Sequence, residues 1–219
     1  MRVFDSSWSF SQKSYSQEGE DLILKNIFDG QKNGFYVDVG AHHPFRFSNT
    51  YIFYKMGWRG INIDATPGSM KLFQKYRSRD INLEVPISSK STKIDYYIFD
   101  EPALNSFSAE LSNARSKNTQ YKIQQVVKLQ TQKLSQVLAN NLPKNTTIDF
   151  MSVDVEGFEY EVLVSNNWSL HRPNYLLIEI LETSVDTIHN NKIYQLLAKN
   201  LYSIVGITGR TIIFKSTKL

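Results

Sequence analysis

The chain predicts an α/β fold: an open, mostly parallel sheet with helices on both faces, closed at its C-terminal end by an antiparallel hairpin. Three stretches carry that expectation. Tyr36, Val37 and Val39 are strand formers, Asp38 lies where such a strand ends, and Gly40 permits the turn that follows. Gly60–Ala65 repeats the pattern, with Asp64 at the carboxyl end of its strand. Tyr175–Leu181 is apolar except for Glu179, as expected of a central parallel strand covered on both faces.

The remaining elements follow from periodicity and punctuation. Leu22, Ile23, Ile27 and Phe28 form an apolar stripe at helical spacing, with Ser14 and Gln17 placed like a capping box and Glu20 and Asp21 in the first turn. Ser48 suits the cap of a helix through Tyr51, Phe53 and Met56 that Gly57 ends. A helix over Gly68 to Ser78 leads to a strand over Ile81 to Ile87, ending in Ser88. Lys93–Phe99 alternates weakly, as an edge strand does, Ile123–Leu129 reads as a strand, and Leu134–Leu142 reads as a helix stopped by Pro143. Ile148 to Asp154 forms a further strand, Gly157 turns the chain, and Glu159 to Val164 begins an acidic helix. An amphipathic helix over Asn191 to Asn200 precedes the closing hairpin of Tyr202–Val205 and Thr211–Lys215.

The 219 residues, 41% hydrophobic, suffice for one domain with a sizeable core. The expected organisation is a single domain over 1–219, with 1–33 a helical lead-in and 89–145 an edge-strand and loop insertion. The absence of Cys excludes disulfides, thiolate zinc sites and cysteine nucleophiles. Met1 to Ser16 lacks a secretory apolar run and no segment approaches a membrane span, so a soluble, cytoplasmic protein is expected. A net charge of +4 is too mild to imply nucleic acid. Leu111 to Ile148 nevertheless holds no Asp or Glu and includes Arg115, Lys117, Lys122, Lys128, Lys133 and Lys144, so it suits either an anionic partner or a solvated surface connection.

Ligands of open α/β sheets bind at the carboxyl ends of the strands, where Asp38, Asp64, Asp154 and Glu156 all emerge. A dinucleotide site wants G-x-G-x-x-G so that backbone can approach a pyrophosphate; here Ala41, His42, His43 and Pro44 follow Gly40, which argues against NAD and FAD. S-adenosylmethionine has no pyrophosphate, and one carboxylate and one glycine suffice at this turn. Asp64, at the second strand end, is placed to accept both ribose hydroxyls, a role compatible with capping the helix near Pro67. Asp154 and Glu156 suit deprotonating or orienting an acceptor, or, with Glu179, holding a hard cation such as Mg²⁺.

Together Ser16-Gln17-x-Gly19-Glu20-Asp21, Tyr36–Ala41, Ser48-Asn49-Thr50, Gly57-Trp58-x-Gly60, Asp64 and Asp154-x-Glu156-Gly157 resemble the FkbM family of S-adenosylmethionine-dependent methyltransferases over roughly Ser14 to Ile180. The chain departs from the wider methyltransferase pattern in having no second or third glycine after Gly40. The resemblance implies a seven-stranded class I (Rossmann-like) sheet into which the final hairpin inserts an antiparallel strand. It also implies methyl transfer to a hydroxyl of a sugar, glycan or secondary metabolite. It places Asp38, Gly40 and Ala41 at the cofactor's methionine side, Asp64 at its ribose, Asp154 and Glu156 beside the methyl group, and Gln17 and Glu20 near the cofactor. Ser88, at the third strand's end, completes the expected cofactor residues.

Methylating an alcohol requires removal of its proton, a task expected of Asp154, His42 or His43, with His171 and His189 structural. Two rival classes are an RNA or protein methyltransferase steered by the Leu111–Ile148 segment, and a non-catalytic adenosine-binding subunit. The absence of dense Lys/Arg clusters weighs against the first, and the presence of Asp38, Asp64 and Asp154 together against the second. A small-molecule or glycan acceptor is expected and nucleic acid is not.

Overall fold

A computed structural model describes residues 11–181 and 184–218; the first ten residues of the expected lead-in lie outside the described residues. Seven strands form one sheet: β1 (Phe35–Val39), β2 (Arg59–Asp64), β3 (Ile81–Glu84), β6 (Phe150–Val153), β7 (Tyr175–Glu179), β8 (Tyr202–Ile207) and β9 (Thr211–Ser216), in the order β3-β2-β1-β6-β7-β9-β8. β1 pairs parallel with β2 and β6, and β7 parallel with β6, whereas β9 runs antiparallel to β7 and β8. The order reverses between β1 and β6, so their carboxyl ends diverge around a crevice, the position where such sheets bind ligands.

Strand alternation assigns the two faces. Val37, Val39, Met151 and Val153 face α5 (Leu134–Asn141), α6 (Glu159–Val164) and α7 (Lys192–Lys199), which contribute Leu138, Leu163 and Leu197 to one apolar core. Tyr36, Phe150 and Ile213 face the opposite way, against Leu24 and Phe28 of α1 (Glu20–Ile27) and its continuation and Phe53 of α2 (Tyr51–Lys55), with Trp58 closing this core. Gly60 is needed beside Tyr36, because a Cβ there would stand 2.1 Å from the tyrosine ring.

Several expectations are corrected. The Ser14/Gln17 capping box does not form: α1 starts at Glu20 behind Gly19, which adopts φ 89°. Ser14 and Ser16 instead donate hydroxyl hydrogen bonds to the Asp21 carboxylate at 2.7 and 2.9 Å. The third strand stops at Glu84 rather than Ile87, since Pro86 has no N–H to continue the ladder and Ile87 forms only an isolated bridge to Gln132. Helix α3 (Met70–Tyr76) starts two residues beyond Gly68, which adopts φ 84°. Lys93–Phe99 (β4) is an edge strand, as expected, but of a separate two-stranded sheet in which it pairs antiparallel with β5 (Ile123–Gln130). Between them lies an unexpected helix, α4 (Ala109–Asn118), whose Leu111 N–H is capped by the Ser108 hydroxyl at 3.2 Å. Within 89–145, α5 belongs to the main core through Leu134, Val137 and Leu138. No helix among the described residues is long and apolar enough to cross a membrane.

Candidate active site

The crevice is built by the loops leaving β1, β2 and β6. Gly40 (φ 86°) approaches the β6 loop so closely that a Cβ would lie 1.6 Å from the Asp154 carbonyl oxygen, so a larger residue would force the loops apart. The Gly40 and Ala41 N–H groups donate to the Ile63 carbonyl at 2.9 and 3.1 Å, and the Asp154 N–H donates to the Val39 carbonyl at 3.0 Å. Three strand ends are thereby locked around a cleft that is open to solvent.

Asp64 lines this cleft. Its carboxylate accepts the His42 N–H at 2.9 Å on one oxygen and the Thr66 N–H at 2.7 Å on the other, which fixes its plane and leaves one further lone pair on each oxygen. On one side of Asp64 the wall is apolar and aromatic: Val85, Ile87, Tyr96 and Phe107, the two rings 4.5 Å apart, with polar edges from Thr66 and Asn105. The Tyr96 hydroxyl lies 2.8 Å from the Thr66 hydroxyl.

The other side is acidic. Asp154, Glu156 and Glu179 bring carboxylate oxygens within 4.8 Å of one another. Burial pushes all three carboxyls above their usual range, reinforced at Asp154 by Glu179 and at Glu179, raised to about 7, by Glu156. At Glu156 the Arg115 guanidinium, in contact with its carboxylate, opposes the effect of burial. Glu179 is 4% exposed, and its Oε2 has no hydrogen-bond partner among the described residues. Glu159 holds the loop from beneath, its Oε1 accepting the Val155 and Gly157 N–H groups at 3.0 Å each.

The rim above the acidic end joins distant parts of the chain. Gln17 lines the cleft and the smaller recess beside it. Glu18 accepts the Arg210 N–H at 2.9 Å and its Nε–H at 3.1 Å, and Glu20 accepts the Thr211 hydroxyl at 3.0 Å. Phe47, 41% exposed, lines both cleft and recess.

The structure therefore brings Gln17, Gly40, His42, Asp64, Asp154 and Glu156 to the cleft and Glu20 to the recess. Four other candidates point elsewhere. Asp38 shares the Tyr36 face of β1 and accepts the Thr50 hydroxyl at 2.7 Å, burial raising its pKa to about 6. The Ala41 side chain packs with Met70 and Phe73. Ser88 is buried, its N–H bonded to the Gln132 carbonyl at 2.9 Å, while its neighbour Ile87 reaches the cleft. His43 turns its Nδ1 back to accept the Arg46 N–H at 3.1 Å. His42 keeps its ring at the cleft, with burial lowering its pKa.

Sequence reasoning missed Tyr96, Asn105, Phe107, Phe47 and Arg210. The first three lie on the inserted segment, read as edge strand and connection. Phe47 sits in a loop and Arg210 at a hairpin tip, and neither carries a local pattern.

A 3-2-1-6-7-9-8 sheet with an antiparallel final pair, cleft at its switch point and acidic residues ending β2 and β6, defines a Rossmann-like fold of the class I methyltransferase type. The chain belongs to the methyltransferase FkbM domain family, which matches residues 38–204, and is an S-adenosylmethionine-dependent methyltransferase. Among solved structures it is similar to the Methanococcus jannaschii fibrillarin pre-rRNA processing protein (12% identity, 92% of this chain and 77% of that one, TM-score 0.49). It is also similar to a TehB-like methyltransferase from Corynebacterium glutamicum (8%, 97% and 92%, 0.47) and to the Burkholderia thailandensis 1,6-didemethyltoxoflavin-N1-methyltransferase (12%, 91% and 77%, 0.45). These distant likenesses assign no substrate. No curated protein matches the chain.

Proposed function

We propose that the protein methylates a hydroxyl of a sugar, glycan or similar polyhydroxylated small molecule. The carrying observation is that one cleft is lined by the aromatic pair Tyr96 and Phe107, by Asp64 and by the acidic residues Asp154 and Glu156. Its aromatic end, with the Thr66 and Asn105 edges, fits adenine, the Asp64 oxygens fit a ribose diol, and the acidic end fits the positively charged sulfonium and the acceptor beyond it. S-adenosylmethionine, when bound, supplies a methyl group on that sulfonium. The chain's own task is to hold the acceptor oxygen in line, exclude water and take the proton. On this reading the hydroxyl proton would pass to the acidic end, to Asp154; His42 is the other base lining the cleft.

Phe47 supports a sugar-like acceptor, because an exposed ring beside carboxylates offers an apolar face and hydrogen-bond acceptors together. Three of the six cations of Leu111–Ile148 are engaged within the chain, which supports an acceptor other than RNA: Arg115 is paired with Glu156, Lys128 with Asp95 at 2.7 Å, and Lys122 donates to the Ser116 and Thr119 carbonyls.

Thermal unfolding with S-adenosylmethionine, and with NAD and ATP as controls, tests the cofactor end. Ligand at ~100 times its dissociation constant adds about 2.7 kcal/mol, a rise of several degrees, which Asp64→Ala abolishes. Asp154→Asn, assayed on a sugar panel, lowers turnover by about 10²–10⁴-fold with the thermal shift retained. Unchanged turnover removes Asp154 from the proton-accepting role.

A further inference from the structure

The geometry points to a divalent-cation site formed by Asp154, Glu156 and Glu179, placed to bind and polarise the acceptor hydroxyl. The site is assembled by the fold: Asp154 follows β6, Glu179 ends the neighbouring β7, and Glu156 is turned back towards them by a positive φ of 55°. Their donor oxygens, within 4.8 Å of one another, stand where modest side-chain rotation brings all three to the roughly 2.0–2.6 Å that Mg²⁺, Mn²⁺ or Ca²⁺ requires.

Two further observations point to a ligand. The first is the Glu179 Oε2: a carboxylate oxygen of a residue only 4% exposed, with no hydrogen-bond partner among the described residues, in the recess that Asp154 also lines. Burying such an oxygen without a hydrogen-bond partner is unfavourable, and the fold does it at the cleft rather than in the core. The second is the charge balance of the recess, where Glu18, Glu20, Asp154 and Glu179 meet the single guanidinium of Arg210. Arg210 bonds Glu18 and stands 3.9 Å from Glu179, beyond hydrogen-bond reach. Arg115, bound to Glu156, is then an outer partner that orients a ligand.

The use of the metal rests on the methyl-transfer reading; its binding does not. A hydroxyl at the cation would ionise more readily, and with Asp154 engaged as a ligand the cleft base left to take its proton is His42.

The full chain, stripped with EDTA, is titrated with Mn²⁺ and followed by electron paramagnetic resonance and by thermal unfolding, with NaCl matched in ionic strength as the control. The expected result is one saturable Mn²⁺ per chain and a rise in Tm that NaCl does not give. Glu179→Gln weakens Mn²⁺ binding by at least about 10–100-fold. Because this variant also relieves the crowding of three carboxylates, its metal-free Tm is no lower than that of the parent, and retention of the S-adenosylmethionine shift shows the fold intact. Absence of saturable Mn²⁺ binding, with or without S-adenosylmethionine, overturns the site, as does equal binding by Glu179→Gln. Loss of the S-adenosylmethionine shift with Mn²⁺ binding intact overturns the methyl-donor end instead.

Discussion

Two clusters of buried charge lie within this sheet, and they are finished differently. Beneath β1 and β2, Arg77, fully buried, donates to Asp80 at 2.9 Å, the Pro44 carbonyl at 3.0 Å, the Tyr36 hydroxyl at 2.7 Å and the Thr50 hydroxyl at 3.1 Å. Asp80 in turn accepts from Tyr36 at 2.7 Å, the Gly60 N–H at 3.0 Å and Asn62 at 3.0 Å. At the ends of β6 and β7, by contrast, three carboxylates crowd together and one oxygen has no partner among the described residues. Burial of charge is common to both, so it does not mark the site. Incomplete pairing does: the first cluster is closed on itself and ties β1, β2 and α2 together, while the second is open to a ligand.

The strongest way to break this comparison is Arg77→Met. Removing one partner of a buried network leaves Asp80 uncompensated, so a loss of about 3–5 kcal/mol is expected in urea denaturation. Glu179→Gln, at the open cluster, should show no comparable loss in metal-free protein. If Arg77→Met lost less than ~1 kcal/mol, the closed network would not be a scaffold element of the sheet.

The same contrast separates what the sequence revealed from what it hid. Strand ends at Asp38, Asp64 and Asp154 were legible because strand formers, a carboxylate and a turn glycine recur in register along the chain. Asp38 nevertheless faces Thr50 and the Arg77 network, and the period of two that puts it on the Tyr36 face was the available signal. Arg77 itself carries none: in Arg77-Ser78-Arg79 it looks like any solvated helix end, and only tertiary structure buries it. Helix α4 was invisible for a related reason. Its ten residues have almost no apolar periodicity, and it is held by the Ser108 cap and by Arg115 on Glu156. The aromatic end of the cleft depends on β4 pairing with β5 across 23 intervening residues, a contact no local pattern encodes.

A smaller effect sharpens the boundary between the clusters. Burial holds the Asp38 carboxyl at about 6 instead of the ordinary 3.8, partly offset by the Thr50 hydrogen bond and by Arg77. The folded chain therefore binds this proton more tightly than the unfolded chain. The stability Asp38 contributes is greatest below about 3.8, falls as pH rises through about 6, and is level above. In Tm measured from pH 3.5 to 7.5, the difference between the wild type and Asp38→Asn should drift against the wild type by a few degrees across that window and then stop. A flat difference would mean that the Thr50 hydrogen bond and Arg77 offset the burial of Asp38 in full.

The smallest effect concerns the rim. Glu18 and Arg210 join the N-terminal segment to the tip of the β8–β9 hairpin, with side chains 24% and 44% exposed. Burial raises the Glu18 carboxyl, and the backbone and guanidinium bonds from Arg210 more than reverse it, so its pKa lies below the ordinary value of 4.5. The sign is opposite to that of Asp38: the contribution is present above the unfolded value and lost as pH falls through the folded one. Screening at this exposure limits it to under about 1 kcal/mol, so Glu18→Gln should change Tm by only a degree or two at low salt, and by less at high salt. A larger consequence is expected for acceptor binding, because Arg210 released from Glu18 is left beside Glu179, 3.9 Å away at the recess. A raised KM for the acceptor at nearly unchanged Tm would assign the pair to the open cluster, as part of its rim. A fall in Tm like that of Arg77→Met would assign it to the scaffold.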